Sequence, residues 1–254
     1  MKKFLICFFL VFLLTGCVHR NVLTDFNHEL VETDSYVLST WYKITEPGKP
    51  LVVYIEGDGY AFNANGTVSS NPTPKSIFLR QIAANDPRAN VVYIARPCQY
   101  FQTESCSQKD WTTGRFSQEI LDSTDVAVKS FMKKAKTDKI ILVGYSGGAT
   151  LGGLIAVRHP SQVLHFSSIA GVLNHEQWTT YHKDPPLSDS LNLADFRSLF
   201  LTIPQHHYVG AKDTVVPPVL TQAFMQSNDR ITIIPEATHD SGYQKAIKEI
   251  YQVK

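Results

Sequence analysis

Three side chains in this sequence have the types and chain order needed for nucleophilic chemistry: Ser146, Asp213 and His239. A serine hydroxyl is a poor nucleophile until a base takes its proton. That base works only when an acid fixes its tautomer and orientation. Ser146 is the centre of Gly144-Tyr145-Ser146-Gly147-Gly148. As a bare pattern this run says little, but its setting is informative. Residues 140–143 are apolar and largely β-branched, and Leu151, Leu154, Ile155 and His159 follow at helical spacing. A strand that breaks sharply into a helix at Ser146 pushes the hydroxyl out of a tight turn. Gly144 and Gly148 remove Cβ atoms that would crowd that turn. Asp213 comes soon after a predicted strand at 205–209, and His239 soon after another at 231–234. Both are expected at strand carboxyl ends, where parallel sheets gather their ligands. Asp184, Asp189 and Asp195 compete for the acid's place, but none follows a strand as closely. His206 and His207 are neighbours within a strand and are expected to be structural. A tetrahedral oxyanion also needs two preorganised N–H donors. Gly147, next to the serine and at the start of a helix, is the first candidate.

These side chains require a scaffold, and the periodicity supplies one. Strands are predicted at 36–44, 51–55, 90–95, 140–143, 163–169, 205–209 and 231–234. Helices are predicted at 74–84, 116–135, after Ser146, at 196–203, 219–225 and 243–251, the last with Ser241 as a possible cap. Pro204 stops the fourth of these. Residues 171–193 have no regular pattern. Strands alternating with helices imply a mainly parallel sheet covered on both faces, an α/β architecture in one domain. A long loop, 96–114, carries Cys98, Cys106 and several aromatics.

Over residues 50–254 the chain resembles the α/β-hydrolases. The resemblance is carried by Gly144-Tyr145-Ser146-Gly147-Gly148, by Gly210-x-x-Asp213 with Val216-Pro217, and by Thr238-His239 before the last helix. It implies an eight-stranded, mostly parallel sheet whose first strands are antiparallel; the segment between strand 163–169 and Pro204 is short for a lid, so a small cap or none is expected. It implies Ser146 as nucleophile, His239 as base and then acid, and Asp213 as the group that holds His239. The reaction so implied is hydrolysis of an ester, or of a thioester or amide, in a small acyl substrate through an acyl-enzyme, without metal or organic cofactor. The second oxyanion donor is expected just after strand 51–55, where Glu56-Gly57-Asp58-Gly59 stands in the place of the family's His-Gly and donor. The N–H of Asp58 is the candidate, with Gly59 as the alternative. Here the sequence departs from the family, since Glu56 replaces histidine and the Asp58 carboxylate would repel an oxyanion unless turned away. The competing reading is a catalytically silent module of the same fold, serving as a binding or scaffold lipoprotein. Tyr60, Phe62, Tyr100, Phe101, Trp111 and Trp178 are candidates either for lining a substrate pocket or for sealing the core edge.

Composition narrows the setting. Hydrophobic residues make up 43% and charged residues 19%, with 24 basic against 23 acidic side chains and a formal charge of +1. This balance, and the lack of a basic tract beyond Lys133-Lys134-Ala135-Lys136, offers nothing to nucleic acid. Lys2 and Lys3 precede an apolar stretch, 4–14, which reads as a secretory signal too short to span a membrane comfortably. Leu14-Thr15-Gly16-Cys17 resembles the bacterial lipobox. The expected organisation is a signal peptide at 1–16, a tether at 17–34 lipidated on Cys17, and a domain at 35–254. Lipid on Cys17 would anchor the chain to a membrane. Val18 in place of aspartate points to the outer membrane, with the domain facing the periplasm or the surface. Export favours a disulfide between Cys98 and Cys106, with free buried thiols as the alternative. Closing that segment would contribute about 2.5 kcal/mol in the chain-entropy treatment.

Overall fold

The computed structural model describes residues 22–254. Cys17 and the expected signal peptide lie outside the described residues. The apolar runs become the inner strands of one sheet. Its members are β1 (Asn27–Glu32), β2 (Val37–Ile44), β3 (Leu51–Ile55), β4 (Asn90–Ile94), β5 (Ile140–Tyr145), β6 (Val163–Ile169), β7 (Gln205–Gly210) and β8 (Ile231–Ile234). Among the described residues they lie in the order β1-β2-β4-β3-β5-β6-β7-β8. β2 pairs antiparallel with β1 and β4, and all pairings beyond β4 are parallel. Every residue of β3, β4 and β5 is buried, because helices cover both faces of a parallel sheet.

The helices are α1 (Phe78–Ala84), α2 (Gln118–Lys134), α3 (Gly148–Arg158), α4 (His175–His182), α5 (Arg197–Phe200), α6 (Pro218–Met225) and α7 (Gln244–Gln252). Successive strand residues point to opposite faces, so each strand feeds two cores. Leu51, Val53, Ile55, Ile140 and Leu142 pack with Ile120 and Phe131 of α2, Leu151 and Ile155 of α3, and Phe224 of α6. Val52, Tyr54, Ile141 and Val143 pack on the other face with Leu79 and Ile82 of α1 and Ala246 and Ile250 of α7.

Several elements differ from expectation, among them the helix expected at 74–84, which begins only at Phe78. The stretch expected to be a tether through residue 34 enters the fold early: Leu23 is buried and β1 forms the sheet edge. Only Val31 of β1 is buried, and its charged and polar side chains are those of a protected edge strand, which hides the alternation. Within 171–193 lies α4, started by the Asn174 side chain accepting from the N–H of Gln177 at 3.2 Å. Its buried face is small, so no apolar stripe announces it. The helix expected at 196–203 is a 3₁₀ turn, Leu193–Phe196, followed by the short α5. Ser241 does not cap α7; its hydroxyl lies 2.6 Å from that of Thr238.

Candidate active site

β5 ends at Tyr145 and α3 begins at Gly148, leaving Ser146 in the turn with φ +50°. A non-glycine residue held there costs on the order of 1–3 kcal/mol and survives only where its surroundings enforce it. Here the Ser146 carbonyl accepts from Ala149 N–H at 3.1 Å and Val172 N–H at 3.0 Å, while its own N–H donates to Ile169 at 3.1 Å. The flanking glycines are required by space. A Cβ on Gly144 would sit 2.5 Å from Ala149 Cα, and one on Gly148 would enter the Ile55 carbonyl oxygen.

The Ser146 hydroxyl lies 3.1 Å from His239 Nε2, and His239 Nδ1 lies 2.9 Å from Asp213 Oδ2. His239 arrives on the loop after β8, and Asp213 on the loop after β7. Gly210 lets the two loops touch, since a Cβ there would meet the carbonyl of Ala237. The Asp213 side chain is fully buried, and its other oxygen accepts from Val215 N–H at 2.8 Å and Val216 N–H at 2.9 Å. The carboxylate is therefore fixed before it meets the imidazole. Of the competing acids, Asp189 pairs with Lys109 at 3.2 Å and accepts from Thr113 at 3.0 Å. His207 is fully buried between Ser168 Oγ and Gln205 Oε1, each at 2.8 Å, and burial pushes it down to about 3. His206 lies 2.8 Å from Thr232 Oγ1. Both are structural.

The turn after β3 packs directly on the serine: a Cβ on Gly57 would sit 3.0 Å from Ser146 Cβ. Among the described residues, the N–H groups of Asp58 and Gly147 have no acceptor. The Asp58 carboxylate rests on Gly147, where a Cβ would collide with its Oδ1. It does not stand there as a bare charge. Arg96 Nη1 reaches Oδ1 at 3.0 Å and Arg115 Nη1 reaches Oδ2 at 2.7 Å. Burial pushes the Asp58 carboxyl up, but the two guanidiniums outweigh it and hold the group below the usual carboxylate range. Glu56 accepts from Gly57 N–H at 2.8 Å and from the Tyr93 hydroxyl at 2.6 Å. Burial nevertheless raises its carboxyl above the ordinary value. Sequence reasoning missed Arg96 and Arg115. Their only local sign is that they stand at the two ends of the cysteine-bearing loop.

Cys98 and Cys106 are disulfide-bonded, with Cα atoms 5.8 Å apart. A cleft of about 650 Å³ opens above Ser146. Tyr60, Phe62 and Trp178 line it, together with Phe78, Phe116 and Leu187. Tyr100, Phe101 and Trp111 do not. Trp111 is buried with its N–H on the Ser69 carbonyl at 3.1 Å, and Tyr100 packs edge-on against Trp41 at 5.1 Å. Trp178 of α4 reaches the acid's loop by donating to the Val215 carbonyl at 2.7 Å. α4 thus forms a small cap over one rim. Among the described residues no group of three His, Cys, Asp or Glu side chains is gathered to hold a metal ion.

No protein-family model matches the chain, and no curated protein does either. Solved structures do. Est1E from Butyrivibrio proteoclasticus, with ferulic acid bound, superposes with a TM-score of 0.66 at 14% identity, over 88% of this chain and 96% of that one. An esterase from Pyrococcus furiosus gives 0.60 at 16% identity, over 89% and 88%. A protein of Xanthomonas campestris described as an α/β serine hydrolase without a lid gives 0.53 at 14%, over 90% and 91%. The chain has the α/β-hydrolase fold.

Proposed function

We propose that this chain is a serine hydrolase that cleaves an ester through an acyl-enzyme. One observation carries the reading: an unbroken relay runs from buried Asp213 through His239 to a hydroxyl on a strained turn that opens on an apolar cleft. In the reaction, Ser146 Oγ attacks the carbonyl carbon while His239 Nε2 takes its proton. Asp213 keeps the proton of Nδ1 on the far side of the ring and stabilises the imidazolium. The carbonyl oxygen, now an oxyanion, accepts from the N–H groups of Asp58 and Gly147. As the intermediate collapses, the alcohol leaves with the proton from Nε2, and the acyl group stays on Ser146. Water activated by the same imidazole then releases the acid. The pairing of Asp58 with Arg96 and Arg115 supports this reading over a silent module, because it compensates the charge that would oppose the oxyanion.

An ester is favoured over a thioester or amide because the structures with this fold include one named as an esterase and one named as a phospholipase A. The aromatic and aliphatic walls of the cleft suit an apolar or aryl acyl group. The same reading tethers the enzyme to the bacterial envelope by lipid on Cys17, on the strength of the residue 2–17 sequence. The test is labelling of the mature protein with a fluorophosphonate probe, followed by turnover of p-nitrophenyl esters of graded chain length. Ser146→Ala should abolish both while leaving the melting temperature close to wild type. Turnover retained in Ser146→Ala would remove the nucleophile assignment. A folded wild-type protein that neither labels nor turns over would favour the silent module.

A further inference from the structure

The Asp58 N–H is useful to an oxyanion only if its peptide plane is held at the right rotation, and nothing in the turn itself does this. In a planar trans peptide the carbonyl of one residue and the N–H of the next point in opposite directions. The partner of the Asp58 N–H is therefore the Gly57 carbonyl. That oxygen accepts from Gln99 Nε2 at 3.0 Å. Gln99 is buried, and its side-chain oxygen is occupied in turn by the N–H of Arg96 at 3.1 Å. With its acceptor end fixed by Arg96, the amide can present only its NH₂ group to Gly57.

The loop around Gln99 is built for this contact. Cys98 and Tyr100, on either side, both have left-handed backbones, with φ +68° and +63°. Each is secured from outside: Cys98 by its bond to Cys106, and Tyr100 by its N–H on Thr73 Oγ1 at 2.7 Å. Gly59 clears the space, because a Cβ there would sit 2.6 Å from Gln99 Nε2. Arg96 and Arg115, from the two ends of the same loop, hold the Asp58 side chain. The turn is thus pinned at its carbonyl and at its carboxylate.

We infer that Gln99, seated in the disulfide-closed loop, is a positioning residue for catalysis, rotating the Gly57–Asp58 peptide so that its N–H faces the developing oxyanion. Its donation to the Gly57 carbonyl also polarises that peptide and strengthens the N–H as a donor. The inference rests on the proposed esterase reading, and the experiment separates the two. Wild type and Ser146→Ala are first compared on one p-nitrophenyl ester; absence of Ser146-dependent turnover would overturn both readings. Gln99→Glu is then measured, with sites titrated by fluorophosphonate so that kcat refers to folded, reactive enzyme. Outright loss of an oxyanion donor costs about 10²–10³ in kcat, so a misdirected one should cost about 10- to 100-fold. KM should stay within about twofold, because the ground-state carbonyl makes little use of the donor. The Ki of a trifluoromethyl ketone, whose serine adduct carries the oxyanion, should rise in parallel with the fall in kcat. If Gln99→Glu does not fold, Gln99→Met, similar in length but without a donor, is read in the same way. Ser146-dependent turnover in wild type with unchanged kcat per titrated site in the Gln99 variant would overturn the inference alone. A rise in KM without a fall in kcat would do the same.

Discussion

Replacing Asp213 by asparagine should separate catalysis from folding, and the structure says why. Oδ1 of Asp213 accepts two backbone N–H groups, from Val215 at 2.8 Å and Val216 at 2.9 Å, while Oδ2 faces His239 Nδ1 at 2.9 Å. An asparagine has one oxygen to offer. Facing its NH₂ toward two N–H donors would leave buried donors opposed, so the amide oxygen takes the Oδ1 position and the NH₂ faces His239. Nδ1 must then accept, which moves the ring proton to Nε2. An Nε2–H cannot take the proton of Ser146, although every heavy atom keeps its place. A wrong tautomer in the serine-triad template costs about 10⁴ in kcat, equivalent to about 5.4 kcal/mol of barrier. The fold should lose much less. Both backbone bonds persist in neutral form, so about 1 kcal/mol is at stake, a shift of about 2–4 °C for a chain of this size. Asp213→Ala should melt below Asp213→Asn, since it leaves the Val216 N–H buried without an acceptor, at a cost of about 1–3 kcal/mol. The assay is kcat on a p-nitrophenyl ester beside thermal melts of wild type and both variants. An Asp213→Asn enzyme that folds and keeps more than about a tenth of wild-type kcat would refute the tautomer argument and hand the role to another acid.

Glu56 makes a pH-dependent contribution to stability. Burial raises its folded pKa, so stability is complete below the ordinary carboxylate range and is lost as pH rises through the raised folded value. Glu56→Gln should therefore gain in melting temperature relative to wild type as pH rises from the ordinary carboxylate range upward, and a difference that stays constant with pH would refute the assignment. Cys17→Ser should release the protein from the membrane fraction or block its processing, as the Leu14-Thr15-Gly16-Cys17 run leads one to expect; mass spectrometry that finds an unmodified mature N-terminus elsewhere would end that proposal.

What could be read without coordinates follows a physical pattern. β3, β6 and β8 keep the bounds read from the sequence, because each is a short stretch rich in β-branched and apolar residues, β8 even at the sheet edge. β1 was not legible, since an edge strand with one buried side chain has no pattern to show. α4 escaped for a similar reason: Asn174 starts it, but only His175 and Thr179 are buried along it. Ser146, Asp213 and His239 were legible because each belongs to a local strand-end motif, and the fold then brings the three together from distant points in the chain.

The parts of the site that were not legible depend on distant partners. Glu56-Gly57-Asp58 reads locally as an excess of negative charge where an oxyanion has to form. The compensating charges stand on Arg96 and Arg115, 38 and 57 residues further along, and no periodicity links them to Asp58. The loop between 96 and 114 reads as a carrier of aromatics that either line a substrate pocket or seal the core edge, and Tyr100, Phe101 and Trp111 lie outside the cleft. The loop instead contributes through Gln99 and its two flanking arginines. A donor's worth to catalysis depends on its direction as much as on its presence. Direction here comes from a side-chain amide acting on a backbone carbonyl, a contact available to any glutamine and marked by none. A sequence can therefore display a nucleophile and its base while concealing the residues that aim the oxyanion donors. In this chain, those residues surround its one disulfide among the described residues.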